Sequence, residues 1–589
     1  MEELIMQNLS SSAAENVRKW LVEPKYAEYR TELEQFISNG AWQELEDAFF
    51  KVIEFGTGGR RGTTGVGSNR INRVTIGESA QALCLYAKSF DEHAPIKGVV
   101  IACDTRLSSP ELSQYAARVC AANGFKTYIF DGFRSTPELS FAVRHLGCAV
   151  GIVISASHNP PADNGFKAYW SDGAQIVPPH DKGVLDAAAN QAEIFATDSF
   201  EGSVTDGSIT IIGQEVDEAY LGAVVDQCEG DARGVKIAFS PLHGTGQTNT
   251  LPALRQAGFA DIEIVEEQMV PDGNFPTIPT GKPNPEEIPA NKMVVDKMLE
   301  TGADIAITND PDADRIGIMV NQHGNPVYLS GNQSAVLAAD YALSKLLEKG
   351  TLTDRHYLVK TIVTTDMLRA LAAKYGVQLY GNLLIGFKYI GEVVRNKEST
   401  DEVFVMGCEE SFGMLKGMYA RDKDGATGAL PVAEYAAELK MEGKTLVDRL
   451  NELYRELGLY IETLESTYYE GADGFSTMQA IMTSFRNEPP KMIGGEPVTA
   501  VLDYQVLTRT ASDGSTRDID CVKGNVLVFE LGDDRRRITI RPSGTEPKLK
   551  FYMQWYQPTD DPEKDTVAVK DYLAQLFTDL SKEALRRVE

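Results

Sequence analysis

Short apolar, β-rich runs that end in polar loops, separated by helical stretches, narrow the folds open to this chain more than any other feature. "GVVIACDTR" from Gly98, "AVGIVISAS" from Ala149, "GVKIAFSPLHGTG" from Gly234, "ADIAITND" from Ala303 and "YLVKTIVTTD" from Tyr357 are such runs. "SPELSQYAARVCAANG" and "NQSAVLAADYALSKLLEKG" are helical stretches among them. Strands apolar on both faces and alternating with helices predict parallel sheets covered by helices on both sides. The shared pattern G-V-x-I-A-x-[DS] hints at repetition on the scale of a domain. Residues 1 to about 50 read as helices, with Trp20, Leu21, Leu33, Phe36 and Phe49 at helical spacing. After Gly458 the pattern changes: from Val498 to Tyr556 strands and turns follow one another without a helix, and a helix starts near Asp561. The expected class is therefore α/β: three α/β domains with mixed, mainly parallel sheets, and a smaller C-terminal α+β domain with an antiparallel sheet. The expected boundaries are 1–205, 206–322, 323–455 and 456–589.

A chain of 589 residues exceeds one hydrophobic core, which agrees with several domains. Its formal charge of −28 argues against nucleic acid or an anionic membrane as partner, but leaves room for an anionic substrate held by a few arginines. Seven scattered cysteines without a C-x-x-C predict reduced thiols in the cytoplasm. The N-terminus has no apolar signal region, and no run reaches the length of a membrane span.

In open α/β sheets, ligands bind beyond the carboxyl ends of the strands, and five loops carry suitable chemistry. In "SASHNPP", Ser157 and His158 follow a buried strand, with Lys167 downstream in "NGFK". A serine hydroxyl needs a base, metal or charged partner to react; a plain Ser/Asn/Pro turn is the other reading. In "NDPDADR", Asp310, Asp312 and Asp314 alternate, and such close carboxylates repel unless a cation neutralises them. The spacing is not that of an EF-hand, and Mg²⁺ is the hard cation that commonly completes its shell with phosphate oxygen. Arg315 beside them could pair with a phosphate. "EFGTGGRRGTTGVGSNRIN" joins a glycine-rich backbone to Arg60, Arg61 and Arg70, which suits an anion as well as a linker. "MGCEESFG" offers Glu409, Glu410 and Ser411 to vicinal hydroxyls, and Lys423 follows in "YARDKDG". "IRPSGTEPKLK" sets Arg541, Ser543, Gly544, Thr545 and Lys550 around what reads as a phosphate monoester site.

Taken in order, these loops resemble the α-D-phosphohexomutase family of phosphoglucomutases and phosphomannomutases. The N-terminal helices, "PTGKPNPEE", "IGFKYIGE" and "YARDKDG" resemble its longer branch, which holds bacterial phosphoglucomutases and phosphopentomutases. The resemblance implies four domains around a central cleft and a phosphoserine at Ser157. It implies one Mg²⁺ on Asp310, Asp312, Asp314 and a Ser157 phosphate oxygen. Gly386, Glu409, Ser411 and Lys423 would bind the sugar, and Arg315, Arg541, Ser543, Gly544, Thr545 and Lys550 its phosphate. Arg61, His158 and Lys167 would manage protons, Lys167 with a lowered pKa. Two positions depart from the family pattern: Gly413 stands where some members have histidine, and Ile385 where many have threonine. The implied reaction interconverts glucose 1-phosphate and glucose 6-phosphate, with a sugar bisphosphate as intermediate and activator and no obligate protein partner. Mannose or pentose phosphates are the neighbouring substrates. A haloacid-dehalogenase-like phosphatase with Asp310 as nucleophile and Asp312 as acid/base, or a sugar-phosphate sensor, are the readings from other classes.

Overall fold

Apolar runs such as "VVIAC" and "VGIVI" carry no polar position because both of their faces are covered: every residue of Val99–Cys103 and Val150–Ile154 is buried. The computed structural model describes residues 1–54, 59–188, 191, 193–469, 474–543 and 548–588. The chain forms two compact units, the first from Met1–Leu329, Gly391–Thr400 and Phe412–Lys440, the second from Ser330–Ile390, Asp401–Ser411 and Met441–Glu589.

In the first unit, the strands of one sheet are β1 (Gly59–Thr63), β2 (Val99–Cys103), β3 (Thr127–Phe130), β4 (Val150–Ile154), β5 (Asp163–Trp170) and β6 (Ile209–Ile212), in the order β1-β5-β4-β2-β3-β6. The pairs among β4, β2, β3 and β6 are parallel, whereas β5 runs antiparallel to both β4 and β1. Helices Ser109–Ala122 and Thr136–His145 pack against β2 and β4. A second sheet contains β7 (Ile237–Ser240), β8 (Ile262–Ile264), β9 (Ile305–Asn309), β10 (Ile316–Gln322) and β11 (Asn325–Leu329), in the order β11-β10-β9-β7-β8. Here β8, β7 and β9 are parallel, and β10 turns back beside β9. The N-terminal helices close over their own core of Ile5, Val17, Trp20, Leu33, Ile37, Leu45 and Phe49, to which Val66 and Val74 also belong. Burying each such side chain contributes about 1.5–3 kcal/mol.

In the second unit, β12 (His356–Lys360) lies between β13 (Gln378–Tyr380) and β14 (Val403–Cys408), all parallel. The C-terminal sheet is antiparallel throughout, in the order Leu459–Tyr468, Lys548–Gln557, Asp533–Pro542, Leu527–Leu531, Glu496–Asp503, Thr508–Ala511 and Thr516–Asp518. Helix Pro562–Arg586 starts one residue after its N-cap Asp561 and packs on Leu459–Tyr468. The α/β class with an antiparallel C-terminal sheet agrees with the sequence expectation. Helix Gly474–Asn487 was not expected; it buries Met478, Ile481, Met482 and Phe485 on one face. All seven cysteines are free, and no described helix is long and apolar enough to cross a membrane.

Candidate active site

The strand β4 stops at Ile154, and the next residues are held in a shape they would not adopt alone. Ser157 has φ of +52°, a left-handed conformation that costs a non-glycine residue about 1 kcal/mol or more. Its N–H donates to Ser155 Oγ at 2.8 Å. The buried guanidinium of Arg106 donates to four carbonyls of the same loop: Ser157 and Asn159 at 2.6 Å, Pro160 at 2.7 Å and Asp163 at 2.8 Å. Asp104 holds Arg106 from behind at 3.2 Å and also accepts from Ser109 Oγ at 2.6 Å. Burial raises the Asp104 pKa, against the pull of Arg106. Sequence reasoning quoted "CDTR" but gave neither residue a role; an aspartate and an arginine two positions apart after a buried strand were the available signal.

The acidic loop joins β9 to β10 by a tight turn in which Ala313 takes φ of +51° and donates to the Asp310 carbonyl at 2.9 Å. Asp310, Asp312 and Asp314 are all buried, and carboxylate oxygens from the three lie within 4.8 Å of one another. Ser157 Oγ donates to Asp310 Oδ2 at 2.5 Å. Asp312 Oδ1 and Asp314 Oδ1 are buried without a hydrogen-bond partner among the described residues. Such orphaned acceptors are costly unless a cation satisfies them. Oxygen-only donors in a compact cluster fit a hard divalent ion. Burial, then repulsion from Asp314 and Asp312, pushes Asp310 well above the usual carboxylate range. Burial also acts on Asp312 and Asp314, but nearby lysines outweigh it and hold both low.

Those lysines come from distant parts of the chain. Lys167 on β5 donates to Asp312 Oδ2 at 2.6 Å and to Asp314 Oδ2 at 3.2 Å. Lys423 lies 2.9 Å from Asp314 Oδ2. Thr136 Oγ1 adds a bond to Asp312 Oδ2 at 2.8 Å. In the β1/β5 ladder Arg61 sits opposite Gly165, and residues directly opposite share a face, so Arg61 and Lys167 (two positions on from Gly165) emerge on the same side. Arg61 is solvent-exposed, and the nearby carboxylates of Asp312 and Asp314 favour its charged form. Arg315 pairs with Glu286 at 3.1 Å, and its N–H donates to Asp310 Oδ1 at 3.1 Å. His158 Nδ1 lies 3.2 Å from Ser157 Oγ. Burial, then Arg315 and Arg61, holds this imidazole well below its ordinary pKa, hence neutral. The expectation of a lowered pKa for Lys167 is corrected: burial does act to lower it, but Asp312 and Asp314 outweigh burial and raise it.

Lys423 owes its place to its neighbour Asp424, whose carboxylate accepts from Tyr220 Oη at 2.7 Å and from the N–H of Ala426 at 2.8 Å, at the start of helix Gly425–Met441. The first unit thus brings together Arg61, Ser157, His158, Lys167, the three aspartates, Arg315 and Lys423.

The remaining candidates belong to the second unit. Glu409 is buried and Ser411 half-buried just past the end of β14. Gly386, at φ of +133°, precedes helix Phe387–Lys397. Ile385 packs against the cluster of Leu384, Tyr504 and Val526, an apolar use for the departing position. Arg541 and Lys550 face each other across the hairpin formed by Asp533–Pro542 and Lys548–Gln557, and Ser543 donates from its N–H to the Lys548 carbonyl at 2.9 Å. Gly544 and Thr545 lie outside the described residues.

Comparison with known proteins fits this arrangement. Residues 52–194, 218–324 and 330–457 match the α/β/α domains I, II and III of the family described as phosphoglucomutase/phosphomannomutase. A phosphoglucomutase of Staphylococcus aureus is 35% identical over 535 residues, spanning 88% of this chain and 92% of its own. One from Staphylococcus epidermidis is 34% identical, over 88% of this chain and 94% of its own. Among solved structures, parafusin, a phosphoglucomutase from Paramecium, superposes with a TM-score of 0.62 at 17% identity, covering 91% of this chain and 97% of its own. A Burkholderia thailandensis protein of the phosphoglucomutase/phosphomannomutase family gives 0.62 at 17% identity, over 89% and 97%. These structures bear on the fold; the sequence relatives and the matched domains bear on descent. The chain belongs to the phosphoglucomutase/phosphomannomutase family.

Proposed function

We propose that this chain is a phosphoglucomutase that interconverts glucose 1-phosphate and glucose 6-phosphate through a phosphorylated Ser157 and a glucose bisphosphate. The observation that carries the reading is the Ser157 hydroxyl donating at 2.5 Å to Asp310, within a buried acidic triplet. In the first half-reaction the bond from phosphorus to Ser157 Oγ breaks and one from phosphorus to a sugar hydroxyl oxygen forms. The hydroxyl gives up its proton and Ser157 Oγ takes one. The bisphosphate turns over, and the second half runs in reverse with the other phosphate.

The residues divide this work. His158 is neutral and 3.2 Å from Ser157 Oγ, so it is placed to hold or return the serine proton. Lys167 rests protonated and, with Arg61 and Lys423, offsets negative charge and can donate a proton. Asp310, Asp312 and Asp314, with a Ser157 phosphate oxygen, would hold Mg²⁺, which supplies positive charge beside the transferring group. Gly386, Glu409 and Ser411 would bind the sugar, and Arg315, Arg541, Ser543, Gly544, Thr545 and Lys550 the phosphate that does not react. A division into four domains near residues 205, 322 and 455 goes with this reading. The free cysteines support a cytoplasmic location, and small sugar phosphates are the partners.

The test is Ser157→Ala. The mutase rate should fall by at least about 10³-fold, and intact mass should show one phosphate, located on Ser157, in the parent alone. A variant that keeps its rate and releases inorganic phosphate would point instead to a phosphatase with Asp310 as nucleophile. Across glucose, mannose and ribose phosphates, kcat/KM should be highest for glucose.

A further inference from the structure

Tyr169 follows Lys167 by two positions on β5, and alternate residues of a strand share a face. Lys167 ends on Asp312 and Asp314, whereas the buried Tyr169 donates from Oη to Asp422 Oδ2 at 2.7 Å. Gln175 Nε2 donates to the same tyrosine oxygen at 3.2 Å and to Asp422 Oδ2 at 3.3 Å. Burial, then the Asp422 charge, holds the Tyr169 pKa well above its ordinary value, so this hydroxyl stays a donor. Asp422 is itself buried and turns its other oxygen to Lys423. There Oδ1 accepts from the Lys423 backbone N–H at 2.9 Å and lies 3.5 Å from the ammonium, which reaches Asp314 Oδ2 at 2.9 Å. Just beyond, the N–H of Gly425 donates to the Ala313 carbonyl at 3.0 Å and ties the same segment to the acidic turn. The lysine stem is thus anchored at its backbone, and its tip stands between two carboxylates.

We propose that Tyr169 and Asp422 are positioning residues for Lys423: the tyrosine hydroxyl fixes the Asp422 carboxylate, and that carboxylate holds the ammonium in place beside Asp314. A lysine side chain is long and rotamer-rich, so its tip needs such a second contact to keep one position. Bonds to both oxygens of Asp422 leave that carboxylate a single orientation, and the tyrosine supplies the shortest of those from Oδ2's side. The consequence for rate rests on the mutase reading, in which Lys423 offsets negative charge; the placement of the lysine does not. A reacting geometry displaced by about 1 Å can cost on the order of 100-fold in rate.

Protein labelled with carbon-13 at the lysine ε-carbons gives resonances that Lys423→Arg and Lys167→Arg assign. Tyr169→Phe keeps the buried ring and removes only the hydroxyl. It should shift the Lys423 resonance, as should Asp422→Asn, while the Lys167 resonance moves far less; a general distortion of β5 would move both. In the mutase assay Tyr169→Phe should lower kcat/KM about tenfold in the parent but less than about twofold in a Lys423→Met background, where no ammonium is left to position. Should Tyr169→Phe fail to fold, Gln175→Ala, at the half-buried second donor, replaces it in both measurements. A parent without mutase activity would sink the mutase reading alone, and the resonances then decide. A Lys423 resonance unmoved by these variants, one that shifts only together with Lys167, or an equal loss of rate in both lysine backgrounds would overturn the proposal.

Discussion

At the scale of single residues, charges that look exposed in the sequence are buried and used. Arg106 is almost fully buried and spends its guanidinium on loop carbonyls rather than on a ligand. Arg106→Lys keeps the charge beside Asp104 but cannot reproduce a planar fork of donors. It should lower stability by about 2–4 kcal/mol in urea unfolding and reduce kcat/KM by about 100-fold or more, because the Ser157 loop loses its shape. Glu462 gives a test of pH dependence. Burial raises its pKa to about 7, helped by Asp366 and opposed by Thr365 and Lys360. Because the folded value exceeds the unfolded one, the protonated form favours folding. The associated stability is fully present below about pH 4.5 and is lost as pH rises to about 7. Glu462→Gln should remove that slope and raise stability at pH 8 by about 2–3 kcal/mol, read from urea midpoints at several pH values.

At the scale of elements, β5 does most to assemble the first unit's site. It pairs with β4 on one side and β1 on the other, which aligns the serine loop, Lys167 and Arg61 in one register. Close approach is required at Gly165, where an added Cβ would sit 2.6 Å from the Ser155 carbonyl oxygen and 2.8 Å from that of Arg60. Gly165→Ala should therefore cost about 1–3 kcal/mol of stability, because backbone rather than a mobile side chain must give way. Its activity loss should exceed that of an alanine at exposed Gly234, beside which there is open space. The strands and most helices were legible in the sequence because burial on both faces removes polar residues from a run. Helix Gly474–Asn487 was not assigned, although its apolar face follows helical spacing. Short β13, with no fully buried position, also lacked the apolar signal.

At the scale of the whole molecule, the acidic triplet is a focus of stored repulsion that ligands can relieve. Mg²⁺ in the millimolar range should raise Tm by a few degrees, as binding to the folded state alone requires. Asp312→Asn should abolish most of that shift in scanning calorimetry, and chelation should reverse it in the parent protein. The acids, the serine and the phosphate-type loop were visible in the sequence as motifs, because their chemistry is local: alternating carboxylates repel, and a hydroxyl just past a buried strand stands at the end of the sheet where ligands bind. So was the α/β class, since the burial pattern of each strand is written within that strand. The pairing of Asp314 with Lys423, the cradle of Arg106, the neutral state of His158 and the raised pKa of Lys167 were decided by the tertiary structure alone. Each depends on which groups meet in a medium of low dielectric, and those groups lie tens to more than a hundred residues apart in the chain.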